Sequence, residues 1–238
     1  MALRVVIDRY EYYLDEGIAI TPVGIREGVP RTFEELSDVS PKPFEEEGVA
    51  YWMYRDTLPT QVGGLRGDVT LILGGLLPSG ELVKTHGHYH PEGPWGVWPE
   101  LYGVVKGVSV FILQDLKAEK VKLVLVREGE AVMIPPGYGH VTVNPTSEPL
   151  VTYNYVSRLF SSVYSPYKER RGAAVYLYPH PEGVKVVKNP KYEVKEIEFC
   201  KPLPLYLKEP VMHSALKPHL EEWLKCEEVR EDILRLPQ

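Results

Sequence analysis

The chain has 238 residues, of which 44% are apolar and 25% charged, and a formal net charge of −6. This is an ordinary globular composition, long enough for one large domain or one domain with extensions. An acidic balance without a basic block argues against nucleic acid or an acidic membrane as partner, and no apolar run is long enough to span a bilayer.

The N-terminus turns charged within a few residues and lacks a signal-peptide core, so a cytoplasmic location is expected. Asn and Gln occur three times each against 22 prolines, a pattern of thermophile usage. The two cysteines, Cys200 and Cys226, are expected to remain reduced and buried, a single bridge being the alternative.

Residues 1–60 read as an N-terminal extension with apolar runs at Leu3–Ile7 and Ile18–Val23. Arg31–Ser37 suits a short helix, with Thr32 as N-cap and Glu35 completing a capping box. Residues 61–160 read as all-β. Short strands are predicted at 68–76, 82–90, 100–105, 108–114, 121–126, 130–135, 140–143 and 150–156, separated by Gly, Pro or charged turns. That spacing fits a sandwich or barrel and not a βαβ fold. Residues 161–238 read as a C-terminal extension with a strand near 173–178. A terminal helix is expected over 217–234, with an apolar stripe of Leu220, Trp223, Leu224, Ile233 and Leu234.

Chemistry concentrates in the barrel segment. His86, His88 and His90 recur at spacing two, which on a strand puts them on one face. Neutral imidazoles on one face inside a small barrel can converge on one transition-metal ion, although a lone His-x-His is as often an exposed edge. Gly129, Pro135, Gly137, His140 and Asn144 match the second cupin motif, G(x)5PxG(x)2H(x)3N, at every fixed position. For the first motif two registers compete. One takes His88, His90 and Glu100, with Gly107 closing it and a long gap after His90. The other takes Gly80, His86, His88 and Glu92, with no closing glycine. The first is favoured because Glu100 opens a strand, whereas Glu92 lies in a loop. Pro91–Pro99 then becomes an inserted loop over the site, with Trp95 and Trp98 as lid candidates or simple packing. The fold expected is a cupin, a small double-stranded β-helix or jelly-roll barrel.

Thr85-His-Gly-His-Tyr-His-Pro91, Pro99-Glu-Leu-Tyr102, Leu113-Gln114 and the Pro135–Asn144 stretch together resemble the cupin-type glucose-6-phosphate isomerases found mainly in archaea. The likeness runs through about residues 50–160 and includes the leader Arg31–Asp38. It implies interconversion of glucose 6-phosphate and fructose 6-phosphate at one divalent metal. The resemblance implies His88, His90, Glu100 and His140 as ligands, holding Fe2+ first, with Mn2+, Ni2+ or Zn2+ as alternatives. It also implies Glu100 and Tyr102 in catalysis, Thr85 and Gly87 at the phosphate, a tyrosine at 153 or 155, and a homodimer. A proton route needs a base near C2, and Glu100 is the carboxylate at hand; a hydride shift needs none. Competing readings are another metallo-cupin sugar isomerase or epimerase, an Fe(II) dioxygenase that would consume oxygen, and a sugar-binding cupin that would only retain its ligand.

Overall fold

The computed structural model describes residues 2–60, 64–93, 96–159, 161–204, 224–228 and 233–236. Four short strands open the chain as a meander: β1 (Leu3–Ile7), β2 (Tyr10–Asp15), β3 (Ile18–Thr21) and β4 (Gly24–Glu27), paired in that order. Their alternation is clear in β1, where Val5 and Ile7 are buried and Val6 is exposed. After β5 (Val29–Thr32), α1 (Phe33–Ser37) starts at the expected cap. The Thr32 side chain accepts from Glu35 N, and the Glu35 carboxylate accepts from Thr32 N at 2.9 Å. The capping box makes this short helix begin where it does.

Next come β6 (Val49–Tyr54), β7 (Leu65–Ile72), the two-residue pair β8 (Glu92–Gly93) and β9 (Gly96–Val97), and β10 (Glu100–Lys106). The barrel continues through β11 (Val108–Gln114), β12 (Lys120–Arg127), β13 (Glu130–Ile134), β14 (Gly139–Val143) and β15 (Leu150–Ser157). Then follow α2 (Ser165–Glu169), β16 (Val175–His180), β17 (Gly183–Lys188), β18 (Glu196–Cys200) and β19 (Leu203–Pro204). Last are β20 (Cys226–Glu228) and β21 (Ile233–Arg235).

One sheet runs β19-β13-β10-β15-β7-β6-β5 and the other β14-β11-β12-β18-β20. Their inner faces share one apolar cluster that includes Ile72, Val104, Val132 and Ile134 from the first and Phe111, Leu113, Leu123 and Val141 from the second. This is the all-β cupin barrel. The outer face of β6, β7 and β15 is covered as well. Tyr54, Val69, Leu71, Val151 and Tyr153 pack against Val5, Ile7, Tyr12 and Leu14 of the N-terminal meander. These central strands are therefore buried on both sides, and their inner face is free to carry polar chemistry.

Three expectations are corrected. Residues 82–90 are not a regular strand but an irregular run tied down by isolated bridges, Lys84 to Val143, His88 to His140 and Tyr89 to Val163. Gly87, at φ +80°, breaks the alternation. The terminal helix is not formed where the chain is described: Cys226–Glu228 and Ile233–Arg235 are strands, while 217–223 and 229–232 lie outside the described residues. The cysteines are not reduced but joined as Cys200–Cys226. The β18–β20 pairing sets these two residues directly opposite each other, a juxtaposition that a separation of 26 residues hides in the sequence.

Candidate active site

The second sheet brings in His140 on β14, and the bridge at 88–140 holds His88 beside it, with His88 N donating to His140 O at 3.3 Å. The first sheet brings in Glu100 at the start of β10. The result is one buried cluster in which the donor atoms of His88, His90, Glu100 and His140 all lie within 4.8 Å of one another. Three imidazole Nε2 atoms face a single carboxylate oxygen: Glu100 Oε2 is 3.1 Å from His90, 3.4 Å from His140 and 3.7 Å from His88. Glu92, the rival carboxylate, is exposed.

Orientation is fixed from behind. His90 Nδ1 donates to the Trp98 carbonyl at 2.7 Å, which turns its Nε2 lone pair inward. Asn154 Nδ2 donates to Glu100 Oε1 at 2.7 Å, leaving Oε2 for the histidines. Tyr102 OH lies 3.1 Å from His140 Nε2. Burial opposes charge on Glu100, but contacts from His88 and His90 and the nearby His140 outweigh it, so its pKa is held well below the carboxylate range. Burial pushes His140 well down and lowers His88, whereas His90, despite its burial, is raised by Glu100. Burial, with the Glu100 charge beside it, pushes the Tyr102 phenol well up and keeps it a proton donor.

A buried set of imidazole nitrogens and one carboxylate, converging and locked by outer hydrogen bonds, has the donor chemistry of a divalent first-row metal site. Residues 45–194 match the family model described as glucose-6-phosphate isomerase. The chain belongs to that family. A glucose-6-phosphate isomerase of Thermococcus gammatolerans is 27% identical over 194 residues, covering 77% of this chain and 100% of that protein. Its counterpart in Thermococcus onnurineus is 28% identical over 193 residues, covering 77% and 99%. That of Pyrococcus abyssi is 26% identical over 191 residues, covering 80% and 87%.

Around the cluster, a cavity of about 310 Å³ is lined by side chains of both sheets. Thr85, Gly87 and Tyr102 all reach it. Thr85 Oγ1 accepts from Thr142 N at 2.9 Å, so its own hydroxyl hydrogen is left for another acceptor. Gly87 also has a packing reason. A Cβ there would come within 2.6 Å of Val141 Cγ2 and 3.2 Å of His140 O, so packing onto the His140 strand requires the glycine. His86 stands outside the four-residue cluster. It lines the cavity, donates Nδ1 to Gly87 O at 3.1 Å, and packs edge-on against Tyr164 at 5.2 Å. Burial lowers its pKa to about 4, so it is neutral near pH 7.

Of the two tyrosine candidates, neither enters the cavity: Tyr153 and Tyr155 pack with the N-terminal meander. Their neighbours Thr152, Asn154 and Val156 face inward instead. Sequence reading also passed over Tyr51, Thr70, Thr142, Arg55 and Arg66, all of which line the cavity. The period-two rule applied to Leu150–Ser157 would have found Asn154 and Thr152, since the two tyrosines claim the opposite face. Trp98 contributes a carbonyl rather than a lid, and Trp95 lies outside the described residues.

Proposed function

We propose that the protein is a metal-dependent aldose–ketose isomerase that interconverts glucose 6-phosphate and fructose 6-phosphate. The convergence of three imidazoles and Glu100 at the floor of a hydroxyl-lined cavity carries this reading. His88, His90, Glu100 and His140 would hold one divalent ion, iron(II) first among manganese, nickel and zinc. When bound, the ion supplies Lewis acidity to the oxygens on C1 and C2.

The remaining work falls to protein groups. Glu100 takes the proton from one carbon and returns it to the other, using the oxygen that Asn154 holds away from the histidines. Tyr102, kept protonated by burial, donates to the substrate oxygen that gains charge. Thr85, through its free hydroxyl hydrogen, and the backbone at Gly87 hold the phosphate, with Tyr51, Thr70 and Thr142 close by on the same lining. Burial of the imidazoles and carboxylate keeps competing water from the reacting carbons. We take the enzyme to be a cytoplasmic homodimer. Tyr13, Ile20 and Ile25, in one cross-strand row on the meander and exposed, support the self-association, which sedimentation equilibrium checks.

The test is a coupled assay that detects glucose 6-phosphate formed from fructose 6-phosphate, run on chelated protein and after adding back each metal. Activity that is lost on chelation and regained with metal supports the reading. Full activity in the rigorously metal-free protein removes the metal, and no activity under any condition removes the substrate.

A further inference from the structure

The cavity lining changes along the line of β6 and β7. Near Thr85 and Gly87 it presents hydroxyls, with Tyr51 OH accepting from His86 N at 3.1 Å and the Arg31 guanidinium behind Tyr51, 5.8 Å over the Tyr164 ring. Just past the end of β6 and near the start of β7 it presents Arg55 and Arg66. Strands β7 and β15 run side by side, and Tyr102 pairs with Asn154, which in turn pairs with Asp68. Tyr51 and Arg55 are four residues apart along one chain, about 13 Å in extended backbone. Arg55 is near enough to the reacting centre for its charge to act on His88 and Tyr102.

The arginines are mounted on Asp68, whose side chain is fully buried. Arg55 Nη1 reaches Asp68 Oδ2 at 2.7 Å and Arg66 Nε reaches the same oxygen at 2.9 Å, while Asp56 N takes Oδ1 at 2.8 Å. Two guanidinium charges against one carboxylate leave one positive charge in excess. The carboxylate is fully used as a mount, and among the described residues no acceptor meets the Nη groups of Arg66. Arg55 spends Nη2 on Met53 Sδ at 3.1 Å, a weak acceptor. A buried carboxylate that fixes two forks at a cavity wall with donors to spare is built to receive an anion bidentately. Ser157, Ser161 and Ser162 line the same cavity and add hydroxyls.

We infer that Arg55 and Arg66 form a second anion subsite, which takes a phosphate on C1 of a sugar whose 6-phosphate occupies the Thr85–Gly87 end. The inference rests on the isomerase reading for the position of the 6-phosphate. The ligand class is the open-chain ketose 1,6-bisphosphate, the product of a phosphoryl transfer to O1 of the ketose 6-phosphate. With O1 esterified, C1 cannot become an aldehyde, so the bisphosphate binds without being isomerised. It acts as a competitive inhibitor made by the reaction class that consumes this enzyme's product.

The experiment is calorimetric titration of the metal-loaded enzyme with fructose 1,6-bisphosphate and, separately, with fructose 6-phosphate, for wild type, Arg55→Met, Arg66→Met and Arg66→Lys. The readout is the ratio of the two affinities, not turnover, so an absence of isomerase activity would defeat the isomerase reading without touching this measurement. The wild type is expected to favour the bisphosphate about tenfold or more, and each Met variant to lower that ratio about tenfold, with Lys keeping part of it. Each single variant leaves Asp68 one arginine, and melting curves verify that the barrel stays folded. A wild-type ratio near one, or a ratio the Met variants leave unchanged, overturns the inference. Equal loss for both ligands in Arg66→Met also overturns it, by putting the single phosphate at the arginine end.

Discussion

Asn154→Leu isolates the outer support of the cluster. The side chain is nearly isosteric, sits on β15 at 3% exposure, and loses one contact, the 2.7 Å hydrogen bond to Glu100 Oε1. A hydrogen bond to a buried charged group is worth about 1.5–3 kcal/mol, and each 1.4 kcal/mol is tenfold, so metal affinity should fall about 10- to 150-fold. That range agrees with the roughly 10- to 100-fold found when outer partners of metal ligands are removed. The assay is competition for metal against a chelator of known affinity, alongside kcat/KM for fructose 6-phosphate. Tyr153→Phe is the control: it adjoins Asn154 on the same strand but faces the meander. Metal affinity within about twofold of wild type in Asn154→Leu, or an equal loss in Tyr153→Phe, would refute the reasoning.

His88→Ala or His140→Ala should each abolish bound metal and nearly all activity while the circular dichroism spectrum stays β-rich; stoichiometric metal in either, by elemental analysis, excludes that residue as a ligand. Glu100→Gln should cost far more metal and activity than Glu92→Gln, since Glu92 is exposed and Glu100 faces three imidazoles; equal effects on the two overturn this assignment. Thr85→Val should raise KM and lower kcat for fructose 6-phosphate, while any residual turnover of free fructose is untouched; matching losses on both substrates place Thr85 elsewhere. Cys200→Ser opens a loop spanning 26 residues and should lower unfolding free energy in guanidinium by about 3–4 kcal/mol on the chain-entropy account; unchanged stability would mean that the closed loop is held by its pairing alone.

The barrel was legible because its signals are local. Gly129, Pro135, Gly137 and His140 fix two turns and a strand start within a dozen residues, and Thr32 with Glu35 fixes a helix start within four. The four clustered side chains were legible because each sits beside such a signal. What stayed hidden depends on pairing between distant segments. The 82–90 run reads as a strand by period, yet Gly87 at φ +80° breaks it and only isolated bridges to distant segments tie it down. Arg55 and Arg66 carry no local signal, and only the antiparallel pairing of β6 with β7 brings them to Asp68. The cysteines meet only through β18 and β20, whereas the apolar stripe over 217–234 sets Cys226 in an expected helix. Tertiary pairing overrode that local preference.

The N-terminal meander supplies none of the clustered residues, yet the geometry of the site depends on it. Strand side chains alternate, so a slip of one residue in β15 would turn Tyr153 and Tyr155 into the cavity and send Thr152 and Asn154 into the apolar layer. Asn154 would then lose its partner, at about 1–3 kcal/mol, and the Thr152 hydroxyl would be set among apolar side chains. The tyrosines would also leave the cluster in which Tyr12, Leu14 and Val5 cover them. The outer layer thus opposes the slip by hydrophobic burial while the inner layer opposes it through the Asn154–Glu100 bond. Because β15 lies between β10 and β7, holding its register also holds Tyr102 and Asp68 opposite Asn154. One row of paired residues therefore carries the support of the carboxylate, the phenol and the mount of both arginines, and apolar packing on the far face of the sheet keeps that row in place.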